Sequence, residues 1–362
     1  MAKRTTTTTT TLLLLFLSPL FCAAEIPHHH APLFVFGDSL YDGGMTLYIG
    51  IKGAAAEFWP YGYTFFRKPA GRYSDGRLIP DFIAEYAGRP FLPPYLLPGL
   101  NNYTNGINFA SAGACALVET RPNTINIKMQ VDYFLEMVPK LKEQVGEEQA
   151  QRLLSKAVYL FNIGGNDYVE LLNKNLKKPP LSPSKKKNYI NLVIGNITTH
   201  IKTIYKQGGR KFAFQNLGPI GCMPSLKYML GFKGTCAEEP LELAQQHNAA
   251  TLALMKRLEK ELPGFKYSIY DFYSSLYVRV HHGDKYGFKE TKTACCGSGR
   301  WRGDFTCQKP GQTFSVCSTP NEHLWFDAAH PTDKANQQFS KEFWSGDINV
   351  VAPHNLKTLF EM

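Results

Sequence analysis

Four residues in this chain have the types and the order that acyl-group chemistry requires. Ser39 stands in "FVFGDSL", Asn166 in "IGGND", and Asp327 and His330 in "WFDAAHPT". Attack on a carbonyl needs a hydroxyl, a base to take its proton, a group to orient that base, and donors for the oxyanion. A carboxylate three residues before a histidine, on one turn of a loop or nascent helix, reaches Nδ1 and leaves Nε2 facing the serine. Pro331 restricts His330 to extended backbone, which suits a rigid position. Each residue alone has a plainer role: Ser39 as a helix N-cap, Asn166 closing a turn, Asp327 capping the last helix, His330 as one of ten histidines. Their ordered joint occurrence favours chemistry.

Such residues must be brought together by the elements that carry them. Apolar runs at 33–37, 157–165, 211–218 and 265–272 read as strands. Between them, residues 125–145, 188–205 and 241–262 place apolar side chains at helical spacing, the last closed by Pro263-Gly264. Strands alternating with amphipathic helices predict a parallel sheet covered on both faces, a three-layer α/β/α arrangement. In such a sheet Ser39, Asn166 and the 216–218 segment emerge on one edge, where ligands of open α/β folds collect. The segment from Lys174 to Lys187, broken by Pro179, Pro180 and Pro183, reads as a solvated loop before a helix. Residues 291–321 read as an irregular, cysteine-stapled excursion before the final helix.

The chain has 362 residues, 44% hydrophobic and 19% charged, enough to bury a large core. No composition break divides it, so one catalytic domain is expected over 25–362. Residues 1–24 have a positive start, a short apolar core and a small-residue exit, the pattern of a secretory signal peptide. No stretch approaches the roughly 18 apolar residues of a transmembrane helix, so no stable membrane insertion is expected. Losing Lys3 and Arg4 with the leader lowers the formal charge from +10 to +8. The basic residues are scattered without a nucleic-acid motif, which argues against nucleic-acid binding. Seven cysteines remain, six of them in the C-terminal half, and in an oxidising compartment they read as disulfides with Cys115 unpaired. Paired C-x-x-C knuckles are absent, so no metal is expected. Asn102 and Asn196 begin glycosylation sequons, and His28–His30 read as a solvated tail.

In these motifs the chain resembles the plant-type GDSL esterase/lipase family of the SGNH hydrolase superfamily, from about Pro32 to the C-terminus. "FVFGDSL" resembles the family's first block, "GINFASAGACAL" the second, "IGGND" the third and "FDAAHPT" the fifth. "GRYSDGRLIPDFIAEYAG" and "ACCGSG" are similar to further hallmarks. The resemblance implies an SGNH (flavodoxin-like) hydrolase fold, with Ser39 as nucleophile, His330 as general base and Asp327 as its orienting partner. It also implies an oxyanion hole from Asn166, the Ser39 N–H, and Gly113 or the neighbouring Ala112. No cofactor is implied, and the partner is a small-molecule or lipid ester. Two features depart from the family pattern. Met45 and Thr46 stand where it has Asn-Asn, which predicts a less polar wall beside the nucleophile, and Cys115 stands where glycine is common, which predicts a buried thiol.

The expectation is a secreted, apoplastic esterase or lipase, with a vacuolar destination as the second address. An acyltransferase would use the same acyl-serine with an alcohol acceptor, and an inactive binding protein would keep the fold without turnover. The stretch Phe58–Tyr63 reads either as pocket lining or as packing.

Overall fold

The computed structural model describes residues 31–50, 56–307 and 311–362. Residues 1–24, expected to form a signal peptide, and His28–His30 lie outside the described residues.

Among the described residues eight strands are formed: β1 (Leu33–Gly37), β2 (Gly106–Asn108), β3 (Val158–Asn162), β4 (Lys211–Gln215), β5 (Lys266–Tyr270), β6 (Cys296–Gly297), β7 (Ser315–Val316) and β8 (Val351–Pro353). Six make the central sheet, in the order β2-β1-β3-β4-β5-β8. The first five run parallel and β8 is antiparallel to β5. The long helices are α1 (Ile79–Tyr86), α2 (Ile127–Val145), α3 (Glu147–Lys156), α4 (Gly165–Asn173), α5 (Pro183–Lys206), then α6 (Pro224–Met229), α7 (Glu238–Glu261), α8 (Phe272–His281), α9 (Asp333–Ser345) and α10 (Leu356–Glu361).

The period-two alternation of a strand sends neighbouring side chains to opposite faces. Phe34, Phe36, Tyr159, Phe161, Phe212 and Phe214 therefore pack with α2, α3, α5 and α7. Leu33, Val35, Val158, Leu160 and Ala213 pack with α1, α8, α9 and α10. The result is a three-layer α/β/α fold with a mostly parallel sheet, as the alternation of strand and helix patterns predicted. On the first face Phe36, Phe161 and Phe214 are register partners, and their rings stack at 4.9 Å and 4.9 Å. A second row runs from Phe34 through Tyr159 to Phe212. These ladders lock the relative height of β1, β3 and β4, the strands whose ends carry Ser39, Asn166 and the 216–218 segment.

Some boundaries differ from the sequence reading. The run at 157–165 is strand only to Asn162, because Gly164 turns left-handed (φ 109°) and starts α4. Helix α5 begins at Pro183, with Ser182 as its N-cap, so Lys185–Lys187 are helical and do not belong to a solvated loop. Lys186 is buried against Glu239 and Glu242 at 3.3 Å and 2.6 Å. Disulfides join Cys222–Cys236, Cys295–Cys317 and Cys296–Cys307, while Cys115 is free and buried. The last two staple the excursion around the small β6–β7 hairpin. Among the described residues no helix is long and apolar enough to cross a membrane.

Phe161 is the central ring of the first ladder. Phe161→Ala is expected to cost about 3–5 kcal/mol in urea denaturation; a loss below about 1 kcal/mol would show that the ladder does not hold the strands.

Candidate active site

The chain leaves β1 at Gly37 and turns at once, so Asp38 and Ser39 stand on the carboxyl edge of the sheet. A Cβ on Gly37 would lie 2.5 Å from the Asn162 carbonyl oxygen, so only glycine fits that close approach. Gln130 of α2 grips the same residue twice: Oε1 accepts the Gly37 N–H (2.9 Å) and Nε2 donates to the Gly37 carbonyl (2.8 Å). Asp38 closes the turn by accepting the Leu40 N–H at 3.0 Å. Burial pushes the Asp38 carboxyl up to about 6, against the pull of that N–H and of the His330 and Arg121 charges.

Ser39 Oγ lies 2.7 Å from His330 Nε2, and His330 Nδ1 lies 2.6 Å from Asp327 Oδ1. Burial alone would raise the Asp327 carboxyl. The His330 charge and the donors from His330, Ala329 and Tyr61 outweigh it, leaving Asp327 below the usual carboxylate range. An ionised Asp327 requires the proton on Nδ1, so Nε2 presents its lone pair to the Ser39 hydroxyl.

Two loops complete the rim. After β2, Asp42 fastens the 109–117 segment by accepting the Ala112 N–H (2.8 Å), and it also takes the Gly44 and Met45 N–H groups and the Thr46 hydroxyl. With the Ala112 N–H thus occupied, the Gly113 N–H (φ 79°) has no acceptor among the described residues, and neither does that of Ser39. At the start of α4, Asn166 Nδ2 donates to the Ala114 carbonyl at 3.0 Å and faces Asp38 Oδ2 at 3.5 Å, while Arg121 Nη1 donates to Oδ1 at 3.0 Å. Asp167 accepts the Ala116 and Leu117 N–H groups and the Thr120 hydroxyl; burial pushes its carboxyl up to about 6, with those donors opposing.

The segment 71–81 braces the histidine loop from behind. Arg72 pairs with Asp81 at 2.8 Å, Ser74 donates to the Pro331 carbonyl, and Asp75 accepts the Asp333 N–H at 2.8 Å. The edge opens into a cleft of about 390 Å³ lined by Ser39, Gly113, Asn166 and His330, and otherwise mainly by apolar side chains.

A sequence profile described as GDSL-like Lipase/Acylhydrolase matches residues 33–343. This chain belongs to the GDSL esterase/lipase family. It is 45% identical to GDSL esterase/lipase 2 of Arabidopsis thaliana, over 92% of this chain and 90% of that one. It is 43% identical to a GDSL lipase of Tanacetum cinerariifolium (91% and 88%). It is also 38% identical to a protein named inactive GDSL esterase/lipase-like protein 25 of Arabidopsis thaliana (90% and 74%).

Ser39, Asn166, Asp327, His330 and Gly113, chosen from the sequence, all line the cleft or the hydrogen-bonded chain behind it. The departure from the family's Asn-Asn acts differently from expectation: Thr46 reaches the cleft, but Met45 is buried in the core beneath it. No residue of Phe58–Tyr63 lines the cleft; Tyr61 is buried and donates to Asp327 Oδ2 at 2.7 Å, and Trp59 lies against Phe314. The Cys115 thiol is buried, and burial pushes it well above its ordinary range. Of the sequon residues, Asn102 is exposed and Asn196 half-buried on α5. Sequence reading missed Gln130 and Arg121, and missed Tyr61's contact with Asp327, because the partners lie far along the chain and leave no local spacing.

Burial pushes the Asp75 carboxyl up to about 6 from 3.8, with the Asp333 N–H and Thr64 hydroxyl pulling it back. A folded pKa above the unfolded one gives stability that is full below about pH 4 and lost as pH rises through about 6. Asp75→Asn cannot ionise. Its stability relative to wild type should therefore improve by up to about 3 kcal/mol between pH 4 and pH 7, read as the Tm difference across that range. A flat difference would contradict the assignment.

Proposed function

We propose that this family member is a secreted serine esterase/lipase that hydrolyses acyl or aryl esters. The observation that carries the reading is the unbroken chain Ser39–His330–Asp327, at 2.7 Å and 2.6 Å, whose Ser39 and His330 end opens into the cleft. Ser39 Oγ attacks the ester carbonyl as His330 Nε2 takes its proton, and Asp327 stabilises the imidazolium. The new oxyanion finds the free N–H groups of Ser39 and Gly113. It also displaces Asp38 from its long contact with Asn166 Nδ2, whose other hydrogen stays on the Ala114 carbonyl. His330 returns the proton to the leaving alcohol. Water activated by the same imidazole then releases the acid and regenerates Ser39.

Export is supported by the leader-like N-terminus and by three disulfides, which persist in oxidising compartments. There Asn102 and Asn196 would meet the glycosylation machinery. The resemblance to a relative named inactive keeps a non-catalytic role in view, but the intact hydrogen-bonded chain favours turnover.

The test is hydrolysis of p-nitrophenyl esters of graded acyl length by protein made in a secretory host. Ser39→Ala should abolish turnover and labelling by an organophosphonate. Asn166→Ala should lower kcat by about 10²–10³. Wild-type protein that is folded yet neither labels nor turns over would overturn the esterase reading.

A further inference from the structure

In the acyl-transfer steps above Arg121 acts only by holding Asn166, yet it lines the same cleft. Among the described lining residues it is the one permanent cation; the other ionisable groups are Asp38, Tyr73 and His330. One guanidinium N–H is committed to Asn166 Oδ1. Its Nε stands 3.9 Å from Glu170 Oε2, too long for a hydrogen bond, and Glu170 is shared with Lys174 Nζ at 3.8 Å. The trio thus carries a net positive charge, with its arginine end in the cleft. A guanidinium offers five N–H donors in a planar fork, and the Nη2 pair has no acceptor among the described residues. The side chain is 31% exposed, so these donors are accessible to a ligand.

The adjoining wall has the opposite character. Leu40, Ile220 and Met223 of the cleft also line a side chamber of about 40 Å³, closed by Phe272, Leu276 and Trp325. An uncharged hydrocarbon laid across the whole cleft would cover the Arg121 donors without pairing them, and burying unpaired donors is costly. An ester with an apolar group at one end and an anionic group at the other satisfies both walls.

We propose that Arg121 is a specificity-determining residue that selects esters bearing an anionic group, a carboxylate in the simplest case. This rests on the esterase reading above and adds to it the substrate class. A planar oxyanion meets the Nη2 edge of the fork while Nη1 stays on Asn166.

The test uses two matched pairs. Mono-p-nitrophenyl glutarate against its methyl ester places the charge on the acyl side. 4-Butyryloxybenzoate against its methyl ester places it on the leaving-group side. Because Arg121 also holds Asn166, a variant changes oxyanion stabilisation for both members of a pair alike, so the anionic-to-neutral ratio of kcat/KM isolates the charge contact. In wild type the ratio should favour the anionic member of at least one pair, which tells which side of the scissile bond Arg121 reads. Arg121→Gln should lower that ratio about ten- to hundredfold, Arg121→Lys should keep part of it, and Glu170→Gln should raise it. Turnover of the neutral ester confirms that each variant is folded. A ratio unchanged by Arg121→Gln in both pairs overturns the proposal. Neutral-ester turnover that survives Ser39→Ala overturns the esterase reading instead.

Discussion

A carboxylate with almost no exposure, Asp327, is the constraint from which the rest of the site follows. Isolated, a buried charge is costly, so it must be surrounded by donors. The donors that reach it include the Ala329 and His330 N–H groups, His330 Nδ1 and the Tyr61 hydroxyl. The first three come from the next few residues and force the chain into a tight turn, which sets the His330 ring at one angle. The hydroxyl comes from Tyr61, far away in the chain, and ties that turn to a cluster containing Tyr73, Phe326 and two disulfides. Of the aromatic stretch Phe58–Tyr63, Tyr61 thus serves the site by holding the acid from behind it.

The same device recurs around the rim. Asp42 gathers the N–H groups of its own turn and of Ala112; Asp167 gathers those of Ala116 and Leu117; Asp75 gathers that of Asp333. Each buried carboxylate joins two segments distant in sequence, and each accepts charge-assisted hydrogen bonds that a neutral side chain would make more weakly. Burial raises the carboxyls of Asp42, Asp75 and Asp167 while their donors pull back, and only at Asp327, beside an ionisable histidine, do the favourable contributions win. Loops fastened in this way leave particular N–H groups unfastened. Asp42 takes the Ala112 donor and so leaves Gly113 as the open one, a choice between neighbours that side-chain type could not settle.

The parts legible in the sequence were those with a local signature. Apolar runs marked β1, β3 and the centre of β4, because a strand buried on both faces has few polar residues to interrupt it, while β5 was legible despite Lys266 and Ser268 from its aromatic and β-branched residues. The three-residue strands β2 and β8 carry no such run; they are strands because β1 and β5 offer an open edge beside them. Ser39, Asn166, Asp327 and His330 were found because turn geometry and a three-residue spacing sit next to each. Gln130 was not, since nothing in α2 marks one glutamine as the clamp on Gly37 ninety-three residues earlier. Lys186 was misjudged for the same reason: its proline-rich surroundings look solvated until Glu239 and Glu242 of α7 are brought against it.

Placing the reacting edge at the ends of stacked strands also answers why so many aromatic rings lie under it. Acyl-transfer geometry tolerates little displacement, since attack and proton transfer both need heavy atoms near hydrogen-bond distance. Ser39 and Asn166 lie just beyond the ends of the adjacent strands β1 and β3, and any slip of one against the other would separate them. The Phe36–Phe161–Phe214 row resists that slip, because offset rings in register lose contact area as soon as one strand moves. Gln130 adds a second restraint, holding Gly37 by both its backbone groups and coupling β1 to α2 on the same face. Ser39 therefore sits at the meeting point of a packed sheet and a polar clamp, and the loops around it need only reach a base that is already fixed.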